Sequence, residues 1–176
     1  MNRHAIALLT AALLLGVSCA HYQFGSALPK DMRDISVSEI NNTTAEPSMG
    51  MLLQDALAEH IMNTPGVKLA SRQDATLDVS VKIVMIDQGR LASARTRDSK
   101  ARHSDSDSYQ TVLYRLTMTC EYTARPTRGD TPPRRGSVEA TADVPLMHDM
   151  ALAQSAAYKE LARDAAQKIA HAVCME

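Results

Sequence analysis

Hydrophobic and polar residues alternate with period two along three stretches of the chain, and apolar residues recur with helical spacing along two more. Ala75, Leu77, Val79, Val81, Ile83 and Met85 alternate with Thr76, Asp78, Ser80 and Lys82, which predicts a strand with one buried face. Val112, Tyr114, Leu116, Met118, Cys120 and Tyr122 do the same against Leu113, Arg115, Thr117, Thr119 and Glu121, and Val138, Ala140, Ala142 and Val144 against Glu139, Thr141 and Asp143. Three successive half-polar strands predict an antiparallel meander covered on one side only. A shorter strand precedes them at Ile35 to Ile40, ended by Asn41-Asn42-Thr43-Thr44, and Val67 with Leu69 can add an edge.

Helical spacing appears first after Ala45-Glu46-Pro47-Ser48, where Met49, Leu52, Leu53, Ala56, Leu57, His60 and Ile61 form one stripe that Pro65-Gly66 stops. His60, on the margin of that stripe, reads as a packing residue. From about Met150 to Val173 the chain has neither Gly nor Pro, and Tyr158, Leu161, Ala162, Ala165, Ile169, Ala172 and Val173 share one face. Those 24 residues predict a single helix of about 36 Å. The order β-α-β-β-β-α therefore predicts an α+β fold, a two-layer sandwich with two helices packed on one face of a mainly antiparallel four-stranded sheet.

The N-terminal pattern is different. After Met1-Asn2-Arg3-His4, the run from Ala5 to Leu15 is apolar except for Thr10 and ends in Gly16-Val17-Ser18-Cys19. A membrane span needs about 20 apolar residues, so this shorter run reads as a signal peptide. Leu15 to Cys19 resembles a lipobox, which makes Cys19 the acylated residue of a lipoprotein. Gly16 stands where that motif usually carries Leu, so ordinary cleavage after Ala20 is the alternative. Acylation would anchor the chain in a membrane durably. The residue after the cysteine is Ala20 rather than the Asp common in inner-membrane lipoproteins, which points to the periplasmic face of the outer membrane. The expected organisation is a signal peptide over 1–18, a lipidated tether over 19–34 and one α+β domain over 35–176.

Composition narrows the function classes. Of 176 residues, the 158 after the signal peptide suit one domain with a sizeable core. A net charge of −1 and only one Phe, five Tyr and no Trp argue against nucleic acid as a partner. With Cys19 taken by lipid, Cys120 and Cys174 are either a disulfide in an oxidising compartment or two buried thiols. No Cys-x-x-Cys, Gly-rich phosphate loop or nucleophile elbow is present, and the histidines lack ligand spacing, so neither a catalytic site, a cofactor nor a metal is expected.

Two connections interrupt the pattern. Asp87 to Gln110 is predicted as a long loop, and between Arg90 and Arg102 it carries five cations, Arg90, Arg95, Arg97, Lys100 and Arg102, against the single anion Asp98. Guanidinium groups pair bidentately with phosphate and carboxylate, so these five are the candidate binding residues for an anionic lipid headgroup or an acidic partner. A solvated loop is the bland alternative. The His103-Ser104-Asp105-Ser106-Asp107 run lacks the remainder of a calcium loop. The second connection, Arg125 to Gly136, is also basic, but meander topology puts it at the other end of the sheet.

Tyr22-Gln23-Phe24-Gly25 close behind the cysteine, Leu28-Pro29, the strand Ile35-Ser36-Val37, Asn41-Asn42-Thr43 and Glu46-Pro47 before an amphipathic helix together resemble the start of the LptE family of lipopolysaccharide-assembly lipoproteins. The β-β-β-α order that follows suits that family too. The resemblance implies a non-enzymatic outer-membrane lipoprotein that partners the β-barrel LptD and helps deliver lipopolysaccharide, binding it through basic residues near a strand-connecting loop. An adaptor lipoprotein that activates a cell-envelope enzyme or complex is the competing reading. It is disfavoured by the tether: about fifteen residues from Cys19 to the first strand reach about 50 Å at most.

Overall fold

The computed structural model of the chain describes residues 28–29, 32–96, 108–145 and 149–175. β1 (Asp34–Asn42) turns Ile35, Val37 and Ile40 to the core, with an irregularity between Val37 and Glu39 that resets its alternation. It leaves the sheet at Thr43, whose amide and hydroxyl both donate to the Ile83 carbonyl, at 3.2 and 2.7 Å. The side-chain carbonyl of Asn42 accepts from the amide and hydroxyl of Thr44, turning the chain into α1 (Met49–Asn63). Met49, Leu53, Ala56, Leu57 and Ile61 are buried along α1, and His60 is half-buried at the stripe's margin. Gly66, at φ +80°, makes the turn after the helix, a conformation that favours glycine.

The sheet has five strands, not four. β2 (Lys68–Leu69) lies parallel to β1 on its outer side, and β3 (Leu77–Thr96) lies parallel to β1 on the other, from Ile35 opposite Leu77 to Asn42 opposite Ile83. Parallel neighbours need a crossover, and α1 supplies it. β3, β4 (Ser108–Pro126) and β5 (Arg134–Pro145) form the expected antiparallel meander, so the order is β2-β1-β3-β4-β5. The sheet is thus mixed, parallel about β1 and antiparallel over the longer β3, β4 and β5 ladders.

Both helices cover one face. α2 (Met150–Met175) packs on β5, β4 and α1, burying Ala153, Ala157, Leu161, Ala162, Ala165, Ala166, Ile169 and Val173. Its alanines let the helix axis approach the sheet closely, and Asp149 starts it by accepting the Leu152 amide at 3.0 Å. The other face of β1 and β3 is polar: Ser36, itself buried, and Ser38 both donate to the Asp78 carboxylate, at 2.6 and 2.9 Å. No helix among the described residues is long and apolar enough to cross a membrane.

Candidate functional site

β3 and β4 outrun the rest of the sheet. β1 pairs with β3 only as far as Ile83, and β5 pairs with β4 only as far as Leu113, yet β3 and β4 remain paired out to Thr96 opposite Ser108. Leu91–Thr96 with Ser108–Val112 is therefore a two-stranded ribbon projecting about 20 Å from the end of the sheet.

Much of the region expected as a loop is strand. Asp87 to Thr96 and Ser108 to Gln110 belong to the ladder, so Arg90 and Arg95 sit on β3, across from Tyr114 and Tyr109 respectively. Asp87 to Ser93 are exposed on both faces of the strand, so the period that marks a half-buried strand is missing. Arg90 is exposed. Arg97, Lys100 and Arg102, like Cys19, the signal peptide and most of the tether, lie outside the described residues. Pro126 to Arg134, the second basic connection, is at the opposite end of the sheet, as the meander requires.

The register shifts along this arm have a consequence for its surface. Pairing skips between Ile83 and Met85, between Arg90 and Ala92, and between Ala92 and Ser93, which leaves Val84 and Leu91 on β3 and Val112 on β4 without a cross-strand partner. A bulge turns such a residue off the regular faces of the pleat. Val84, Met85, Leu91 and Val112 are 38%, 47%, 43% and 39% exposed, and they are half of the exposed large hydrophobics among the described residues. Alternation alone predicts Val112 buried and says nothing of Leu91.

Arg115, opposite Gly89 at the root of the arm, grips Asp143 on β5 through Nε and a terminal nitrogen, at 2.7 and 3.0 Å. That hydrogen-bonded pairing lowers the Asp143 carboxyl below its ordinary value and raises Arg115. Being exposed, the pair is an alignment device more than a source of stability. The arrangement is thus an arm with Leu91 and Val112 at its surface, Arg90 at its root and Val84 and Met85 exposed further back on β3. Among the described residues, no group of His, Cys, Asp and Glu side chains is placed to hold a metal.

Cys120, facing the core from β4, and Cys174, near the end of α2, are buried as thiols. Desolvation pushes Cys120 up to about 12 and Cys174 up to about 11, the latter against the opposing charge of Arg134. Both are unreactive core groups at neutral pH.

A family model described as lipopolysaccharide-assembly, LptE, matches residues 32–173, which is most of the chain. No curated protein matches the sequence. Among solved structures, a putative lipoprotein from Caulobacter crescentus CB15 is 14% identical, over 76% of this chain and 86% of that one, with a TM-score of 0.46. Rare lipoprotein B from Shewanella oneidensis is 12% identical, over 79% and 92%, with a TM-score of 0.43. PelC from Paraburkholderia phytofirmans, a dodecamer, is 12% identical, over 88% and 95%, with a TM-score of 0.45. Likenesses this remote carry no argument about function.

Proposed function

Because the chain belongs to the LptE lipopolysaccharide-assembly family, we propose that it is a non-enzymatic lipoprotein of the outer membrane that partners an LptD-like β-barrel and contacts lipopolysaccharide through the β3–β4 arm. Acylated Cys19 would hold it at the periplasmic face, and the short tether would keep the domain beside the membrane where a barrel is found.

The observation that carries the reading is the exposure of Arg90 at the root of the arm together with the exposed apolar side chains of Leu91 and Val112 on it. Arg90 stands on the same stretch as Val84, Met85, Leu91 and Val112. Those apolar groups stay exposed to water in the domain by itself. An amphiphile with anionic groups and acyl chains satisfies both kinds of side chain at once, the cations through charge-assisted hydrogen bonds and the apolar groups through removal from water. Arg95 follows further along β3, and Arg97, Lys100 and Arg102 complete the cationic set that the sequence offers.

The test is purification of the lipidated protein from outer membranes under mild detergent. An LptD-like barrel is expected to co-purify in stoichiometric amount. Recovery of the protein with no β-barrel attached would remove the partner from the reading.

A further inference from the structure

A sheet edge presents unpaired amides and carbonyls to which another strand can add, unless something prevents it. The edges of this sheet are protected in different ways. β2 is only two residues long, and the outer stretch of β3 is broken by bulges. β5 has neither device. It pairs with β4 over twelve consecutive residues without a register shift, and its only proline is Pro145 at the very end.

Two side chains of α2 lie across that edge instead. The Thr141 amide donates to Asp164 Oδ2 at 2.9 Å, Lys168 Nζ donates to the Glu139 carbonyl at 2.7 Å, and Lys168 also donates to Asp164 at 2.9 Å. Residues i and i+4 of a helix are about 6 Å apart along its axis, and residues i and i+2 of a strand about 6.8 Å, so one helical pair matches one outward-facing pair on the strand. The anion meets the donor and the cation the acceptor.

We propose that Asp164 and Lys168 are a latch that closes the β5 edge to strand addition, and that the strand it keeps out is β5 of a second copy. Antiparallel pairing of two such edges would bring the basic Arg134–Arg135 end of each copy to the end carrying Asp143 on the other, a carboxylate held by Arg115 yet still 41% exposed. The edge is therefore self-complementary, and the latch preserves the solitary domain; on the anchored reading proposed above, it does so among copies confined to two dimensions.

The test uses the full chain in detergent. In the wild type, the Thr141 amide should exchange its hydrogen roughly tenfold or more slowly than the outward amide of Ser137, the protection expected of a charge-assisted hydrogen bond. Asp164→Ala with Lys168→Ala, which keeps helix propensity, should sediment as a dimer or larger species. Adding Thr141→Pro should return it to monomer, because proline deletes the outward amide while the bonds to β4 stay. Rapid exchange at Thr141 in the wild type overturns the latch, and this measurement decides even if the double variant does not fold. A double variant with unchanged far-ultraviolet circular dichroism that stays monomeric, or association that survives Thr141→Pro, also overturns it.

Discussion

Gly136 shows how tightly a single position can be constrained on an otherwise permissive strand. It lies directly across from Tyr122, and a Cβ built on it would sit 2.5 Å from the Tyr122 hydroxyl oxygen and 2.7 Å from a ring carbon. The backbone of Gly136 is not the reason; the phenol occupying its space is. The ring in turn covers the backbone that glycine leaves bare and packs against the core. Gly136→Ala is expected to lower stability by about 1–3 kcal/mol in denaturant unfolding, the usual cost of forcing an extra methyl into a packed site. In a Tyr122→Leu background the same change should cost far less. Equal costs in both backgrounds would mean that Tyr122 is not what excludes the side chain.

At the scale of elements, the β3–β4 arm is the feature with most bearing on function, and its composition is unusual for a strand pair. A ribbon with water on both sides gains little from burial and depends on its backbone ladder and on its root in the sheet. The arm is therefore expected to open more readily than the rest of β3. Two sets of substitutions separate its chemistry from its stability. Replacing Arg90, Arg95, Arg97, Lys100 and Arg102 by Ser should weaken lipopolysaccharide binding roughly tenfold or more and flatten its salt dependence, since exposed charges act through screened attraction. Replacing Leu91 and Val112 by Ser should weaken binding while leaving the salt dependence in place. Arg90, Leu91 and Val112 are exposed, so replacing them should leave the thermal midpoint unchanged. Unchanged affinity in the arginine and lysine set would leave the arm as solvated strand and nothing more.

The whole molecule buries its two core thiols on opposite layers, Cys120 in the sheet and Cys174 in α2, and global unfolding exposes both. Burial raises each above the ordinary thiol value of 9.0, to about 12 and about 11, so the unfolded chain loses these protons at lower pH than the folded one. Their contribution to stability is therefore complete below about pH 9.0 and is lost as pH rises towards 11 and 12. Denaturant midpoints should fall between pH 8 and pH 10.5, by an amount that shrinks in Cys120→Ala. A thiol reagent at pH 8 should label both residues in denaturant and neither in the native protein. No labelling in denaturant without reductant would show the two joined as a disulfide. At this same scale the division between sequence and structure is clear. The alternation from Leu77 to Ile83, from Leu116 to Cys120 and from Ala140 to Val144, and the stripes of both helices, were legible because periodicity records which side of an element is buried, and burial is the largest local demand on residue type. From these follow the element order, the two layers and the meander. Periodicity does not record which strand lies beside which, so the parallel placement of β1 between β2 and β3 was decided by the crossover through α1. Nor does it mark a strand exposed on both faces: Asp87 to Ser93 has loop composition, and only the continuing ladder with β4 makes it strand. Asp164 and Lys168 look like any exposed i, i+4 pair on a helix, and it took the docking of α2 along β5 to place them on the Thr141 amide and the Glu139 carbonyl, because hydrogen-bond partners across layers are chosen by packing and not by neighbours in the chain.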